Sequence, residues 1–167
     1  VRLQAVPVEH LLIAEAPPWS ESGVPAYFYG TGGKGLPSTV ASAFRISVAT
    51  GTQWPTALDR LAQAGFLLVD SIPFALSKET WRARRRHPAY SAMVAACRKS
   101  FLDCHLQRVP VWANHVAVAL AYQVNAENVI AAHAGTLALP TGLTISLTDD
   151  LVVAEGAGHP IARRIRE

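Results

Sequence analysis

The chain has 167 residues, 50% of them hydrophobic and 16% charged, with a formal net charge of +3. That length suits one domain, residues 1–167, with a real core, and the composition excludes a disordered chain, which would combine low hydropathy with high net charge. The two cysteines, Cys97 and Cys104, match no zinc spacing, so a reducing, cytoplasmic setting without a bound metal is expected.

Leu11-Leu12-Ile13-Ala14 is a short apolar run closed by Pro17-Pro18, as for a buried strand ended by residues that cannot donate to a ladder. Glu15 is left at the carboxyl edge of that strand. From Trp19 to Pro37 the sequence is rich in Gly, Pro, Ser and aromatics, the composition of a long functional loop. Ser38 is expected to cap a helix over Thr39 to Ile46, and a second short amphipathic helix is expected from Pro55 to Ala64, ended by Gly65. Phe66 to Val69 is the next strand, again apolar and again ending in an acid, Asp70, before the Ser71-Ile72-Pro73 stop.

Arg82, Arg84, Arg85 and Arg86 then form a basic run, followed by Tyr90, Met93, Val94, Cys97 and Phe101 at the spacing of one apolar helix face. The stretch from Val109 to Tyr122 is broken by Pro110, Asn114 and His115 and falls short of the ~20 apolar residues of a membrane helix. Strands are expected at Val109 to Trp112, near Val129 to Ala132, at Leu143 to Leu147 and at Leu151 to Ala154, with a helix from Asn114. No signal-peptide pattern opens the chain, and a second basic cluster, Arg163, Arg164 and Arg166, lies near its end.

Strands alternating with helices imply an α/β fold of three layers, α/β/α, around a mostly parallel sheet of four or five strands. Ligands of such sheets gather outside the carboxyl ends of the strands. The loops after Ala14, Val69 and Ala154 are therefore expected to bring Glu15, Asp70 and His159 to one site.

Ala14-Glu15-Ala16-Pro17-Pro18, Phe28-Tyr29-Gly30 and Gly158-His159-Pro160, in this order and with the strand ending at Asp70 between them, resemble the motifs of the uracil-DNA glycosylase superfamily. The closest branch is the one whose first motif reads Gly-Glu-Ala-Pro-Gly. The resemblance spans nearly the whole chain. It implies a monomeric hydrolase of base excision repair that binds DNA and cleaves the N-glycosidic bond of a flipped-out base. Positive charge develops on the sugar and negative charge on the base, so a carboxylate and a hydrogen-bond donor both favour the transition state. Glu15 and His159 are implied for those roles, Phe28 as the surface on which the base stacks, and Arg163, Arg164 and Arg166 as phosphate contacts.

The pattern is altered in places. Ala14 and Pro18 replace two motif glycines, Ile161-Ala162 replaces Ser-Pro, and the cluster-binding cysteines of that branch are missing, so no iron–sulfur cluster is expected. Asp70 stands where the family has a base-reading Asn, and an ionised Asp only accepts hydrogen bonds. Two other readings stay open. One is a non-catalytic relative that binds nucleic acid, a nucleobase or a nucleotide. The other rests on Gly30-Thr31-Gly32-Gly33-Lys34-Gly35, which satisfies G-x-G-x-x-G but lacks both the acidic strand end of a dinucleotide site and the Ser or Thr of a P-loop. The remaining histidines, His10, His87, His105, His115 and His133, show no ligand spacing and are expected to be structural or superficial.

Overall fold

The structure, a computed structural model, describes residues 6–17, 27–30, 35–48, 53–83 and 88–153. Strand β1 (Val8–Ala14) is followed by helices α1 (Leu36–Ala43) and α2 (Trp54–Gln63), strand β2 (Phe66–Asp70), and helices α3 (Lys78–Ala83) and α4 (Pro88–Ser100). A π-helical turn (Phe101–His105) and a 3-10 turn (Leu106–Arg108) lead from α4 into β3 (Trp112–Ala121) and α5 (Gln123–Ala132). The short strands β4 (Thr136–Ala138), β5 (Thr144–Ser146) and β6 (Val152–Val153) complete the described elements.

The sheet runs β2-β1-β3-β6 with every neighbouring pair parallel. Side chains alternate across it and feed two cores. Leu11 and Ile13 of β1 and Leu67 and Val69 of β2 pack with Tyr90, Val94 and Val129 from α4 and α5. On the other face Leu12, Phe66 and Leu68 pack with Val40, Trp54 and Leu61 from α1 and α2. Helices thus cover both faces, the three-layer α/β arrangement that a strand rich in apolar residues at every position requires. Three strands carry the sheet, and β6 adds two residues to its edge. The expected four or five full strands are corrected accordingly.

Several elements differ from expectation for identifiable reasons. The helix expected from Asn114 is β3, whose apolar run Val116 to Ala121, buried from Val118 onward, has no period that separates a strand buried on both faces from a helix. The strand expected near Val129 is the second half of α5, which buries Val124, Ala126 and Val129 on one side. Leu143 to Leu147 yields β5, which pairs antiparallel with β4 in a separate two-stranded sheet. Ser38 does not cap α1. The helix starts one turn earlier behind Gly35, with Pro37 in the first turn, where a missing N–H costs nothing, and Ser38 Oγ donates back to the Gly35 carbonyl at 2.9 Å.

β1 is therefore the hub. The chain leaves it by α1 and α2 over one face to reach β2, then returns by α4 over the opposite face to β3 on the other side of β1. The order reverses between β1 and β3, the position at which doubly wound sheets open a crevice. At the outer edge, the Tyr29 hydroxyl accepts the Leu68 N–H at 2.8 Å and donates to the Leu68 carbonyl at 2.9 Å.

Gly65 sets the angle at which α2 turns into β2. Its φ is +67°, and its carbonyl accepts the N–H groups of Glu9 at 2.9 Å and His10 at 3.1 Å. A Cβ here would lie 2.7 Å from the Pro7 carbonyl oxygen, against backbone that cannot step aside. Gly65→Ala is expected to lower stability by roughly 2–3 kcal/mol in urea unfolding, from left-handed strain and this clash together. An unchanged unfolding midpoint would show that the α2–β2 turn tolerates another geometry.

Candidate functional site at the carboxyl ends of the strands

The first turns beyond β1, β2 and β3 lie together at one end of the sheet, and polar groups concentrate there. The ladder between β1 and β2 continues past the strands, with Ser71 N–H donating to the Ala14 carbonyl at 2.8 Å and Ile72 N–H to the Glu15 carbonyl at 3.0 Å. Asn125, wholly buried in the first turn of α5, reaches across the switch point: its Nδ2 lies 3.4 Å from the Ile13 carbonyl of β1 and 3.3 Å from the Ala121 carbonyl of β3. Both are long bonds, so their value lies in satisfying groups that water does not reach. The Ser71 hydroxyl sits 2.7 Å from Asn125 Oδ1 and 2.8 Å from the Glu15 carbonyl oxygen, with one proton to serve either.

Glu15 is 1% exposed. It follows Ile13 in the alternation and turns toward α4, where the Tyr90 hydroxyl donates to its Oε1 at 2.9 Å. A carboxylate in such a place requires hydrogen bonds, since burial without them costs several kcal/mol, on the order of the whole stability of a small domain.

Asp70 is the Cα partner of Ala14 in the ladder, one step from Glu15 along the edge. It follows Phe66 and Leu68 in the alternation and faces the α1 and α2 side, where its charge is felt by the Tyr29 hydroxyl. Burial pushes the Asp70 carboxyl up to about 6. Burial likewise raises Tyr29, and the Asp70 charge adds to that effect. The two acids thus share a sheet end but address opposite faces of it. Of the expected gathering of Glu15, Asp70 and His159, the two acids lie at one sheet end, with side chains that the alternation of the strands turns apart.

Phe28 is 7% exposed and packs edge-on against Tyr29 (5.1 Å between centroids) and Trp54 (5.3 Å), while its carbonyl accepts the Trp54 indole N–H at 3.0 Å. It shares the α1 and α2 face with Asp70, and its neighbour Tyr27 is the ring turned outward, 45% exposed. His159, Arg163, Arg164 and Arg166 lie outside the described residues, as do Arg84 to Arg86 and residues 31–34 of the glycine-rich motif.

Tyr90, Ser71 and Asn125 had no place in the candidate site read from sequence. Tyr90 carried the signal of a core position on an apolar helix face, and nothing in the spacing revealed a partner 75 residues away. Tyr122, between β3 and α5, has φ +68° and ψ 133°, a conformation costing on the order of 1–3 kcal/mol for a residue with a Cβ. Such strain cannot be read from residue type. Among the described residues no group of three or more His, Cys, Asp or Glu side chains is placed to hold a metal ion, and no helix is long and apolar enough to cross a membrane. Neither models of known families, nor curated proteins, nor solved structures match the chain.

Asp70 and His133 give stability an opposed dependence on pH. The Asp70 carboxyl binds its proton more tightly when folded, so its stabilising contribution is full below about pH 3.8 and is lost as pH rises through about 6. Burial, aided by the Arg98 charge, lowers His133 from 6.5 to about 4, so its contribution is full above pH 6.5 and is lost as pH falls through about 4. Asp70→Asn is expected to raise unfolding free energy by roughly 2–3 kcal/mol above pH 6 and to leave stability falling monotonically from pH 6.5 to 4. Denaturant titrations across pH 4–7.5 measure this. Equal wild-type and variant stability at pH 7 would place Asp70 in water.

Proposed function

We propose that this chain is a divergent DNA glycosylase-like hydrolase that releases uracil or another deaminated or damaged base from a flipped-out nucleotide, in base excision repair. The observation that carries the reading is the position of Glu15: a buried, hydrogen-bonded carboxylate just beyond the central strand, beside the β1–β3 switch point. No basic side chain is needed to explain why a carboxylate belongs there if the sugar becomes cationic in the transition state.

In the reaction, water adds at the sugar C1′, the C1′–N bond breaks with its electrons passing to the base, and the water proton is lost. Glu15 stabilises the cationic sugar and receives that proton, while His159 donates a hydrogen bond to the base as it leaves. Asp70 reads the base, and Phe28, buried on the same face of the sheet, backs that wall from within. Arg163, Arg164 and Arg166 hold flanking phosphates, which makes binding sensitive to salt. The resemblance of the Glu15, Phe28 and His159 motifs to the superfamily also supports a fold of that kind.

Asp70 sets the base preference. As a carboxylate it offers acceptors only, which suits a base with an exocyclic amine; as a neutral carboxyl it offers one donor and one acceptor, which suits uracil. With its proton lost near pH 6, uracil release is expected to fall from pH 5.5 to 7.5. Asp70→Asn, a donor and acceptor at every pH, is expected to release uracil at least ~10-fold faster than wild type at pH 7.5, and Glu15→Gln to lose about 100-fold or more. Single-turnover assays on single- and double-stranded oligonucleotides carrying uracil, hypoxanthine, xanthine or damaged pyrimidines measure both. If no base is released by either wild type or Asp70→Asn, the catalytic reading fails.

The second reading, a non-catalytic relative that binds nucleic acid or a nucleobase, is favoured by one observation: Phe28 is packed inside an aromatic cluster. It calls for oligonucleotide or nucleobase binding with no base release in the same assays.

A further inference from the structure

We infer that Tyr90 is the positioning residue of Glu15: its hydroxyl fixes the orientation of the buried carboxylate and holds it ready as a hydrogen-bond acceptor. The inference deepens the proposed glycosylase role of Glu15 and rests on it for its kinetic consequences.

The geometry is specific. Tyr90 is 1% exposed, and its hydroxyl donates to Glu15 Oε1 at 2.9 Å. It stands in the first turn of α4, whose later turns are anchored in the same core through Val94 and the adjoining Phe101. The ring is therefore held by packing, with its hydroxyl turned to the carboxylate. A phenol O–H buried without an acceptor costs about 1–3 kcal/mol, so the donor direction is enforced by the fold. Tyr90 of α4 meets the Glu15 carboxylate, while Ser71, in the turn after β2, meets the Glu15 carbonyl and joins it to Asn125 of α5. Ser71 and Ile72 fix the Glu15 main chain through its carbonyl, at 2.8 and 3.0 Å. The carboxylate is thus fixed from the opposite end by Tyr90, and the side chain is held at both extremities. Rotation of a carboxylate by a fraction of a turn moves its oxygens by ~1 Å, a displacement able to cost ~100-fold in rate when the group must face a charge that exists only in the transition state.

A purely structural hydrogen bond would contribute stability and nothing else. Tyr90→Phe separates the two, because it removes one oxygen and keeps the ring. The full chain, as wild type, Tyr90→Phe and Glu15→Gln, is assayed under single-turnover conditions on the base panel above. In parallel, the Glu15 side-chain carboxyl 13C resonance is assigned by its loss in Glu15→Gln and compared at one pH. The expected result is a rate constant for base release about 10- to 100-fold lower in Tyr90→Phe, with oligonucleotide affinity changed less than about twofold, and a displaced Glu15 resonance. Should Tyr90→Phe not fold, 3-fluorotyrosine in place of Tyr90 keeps ring and donor and strengthens the donor; it is expected to move the resonance in the direction opposite to a lost hydrogen bond. If wild type releases no base while the Glu15 resonance still responds to Tyr90, the glycosylase reading fails and the hold of Tyr90 on Glu15 stands. A Glu15 resonance indifferent to both replacements, or a folded Tyr90→Phe with wild-type rate, overturns the inference.

Discussion

Burial of β1 on both faces and on both edges governs the rest of this structure. A strand so enclosed must hand every backbone polar group to a neighbour, and within the sheet β2 and β3 accept that duty. Beyond Ala14 the strands end while the chain is still buried; Ser71 and Ile72 prolong the ladder by two bonds, and side chains add to them. Ser71 meets the Glu15 carbonyl and Asn125 those of Ile13 and Ala121, and the Glu15 side chain enters the interior beside them. The polar site and the apolar core are thus one packing solution, because the residues that satisfy the strand ends are those that surround the acid.

The division of the two acids between the sheet faces follows from the two-residue repeat of a strand. Val69 and Ile13 point one way and their successors Asp70 and Ala14 the other, so Glu15 would share a face with Asp70 only if the strands ended in step. They do not: Asp70 pairs with Ala14, and Glu15 lies one residue beyond. A single step of register therefore gives the acids different solvents, hydrogen-bonding company and charge neighbours. Tyr29 borders one and Tyr90 the other.

Much of this was legible in the sequence, and the boundary between what was and was not is physical. β1 and β2 announce themselves because each is a short apolar run ended by an acid and a proline-containing stop. α2 does so through its amphipathic spacing and Gly65. β3 was hidden because Ala-Val-Ala-Leu-Ala serves a doubly buried strand and a buried helix equally well, and the error carried into α5. Of the candidate site, the places of Glu15 and Asp70 at strand ends were legible, since an apolar run closed by an acid marks where a strand stops. Phe28 was found as an aromatic but not as a core residue. Tyr90, Ser71 and Asn125 escaped because their importance lies in whom they touch, at separations of 75, 56 and 112 residues, and residue type carries no trace of that.

The hydroxyl of Tyr29 has a consequence that reaches beyond the single molecule. β2 is the outermost strand of the sheet, and the outward amide and carbonyl of Leu68 are both occupied by that one oxygen. A strand from a neighbouring molecule seeking to extend the sheet at this point would find its first rung already taken by a side chain that offers no second one. One phenol thus occupies one rung of this edge, a place that natural sheets more often guard with lysines, prolines or bulges.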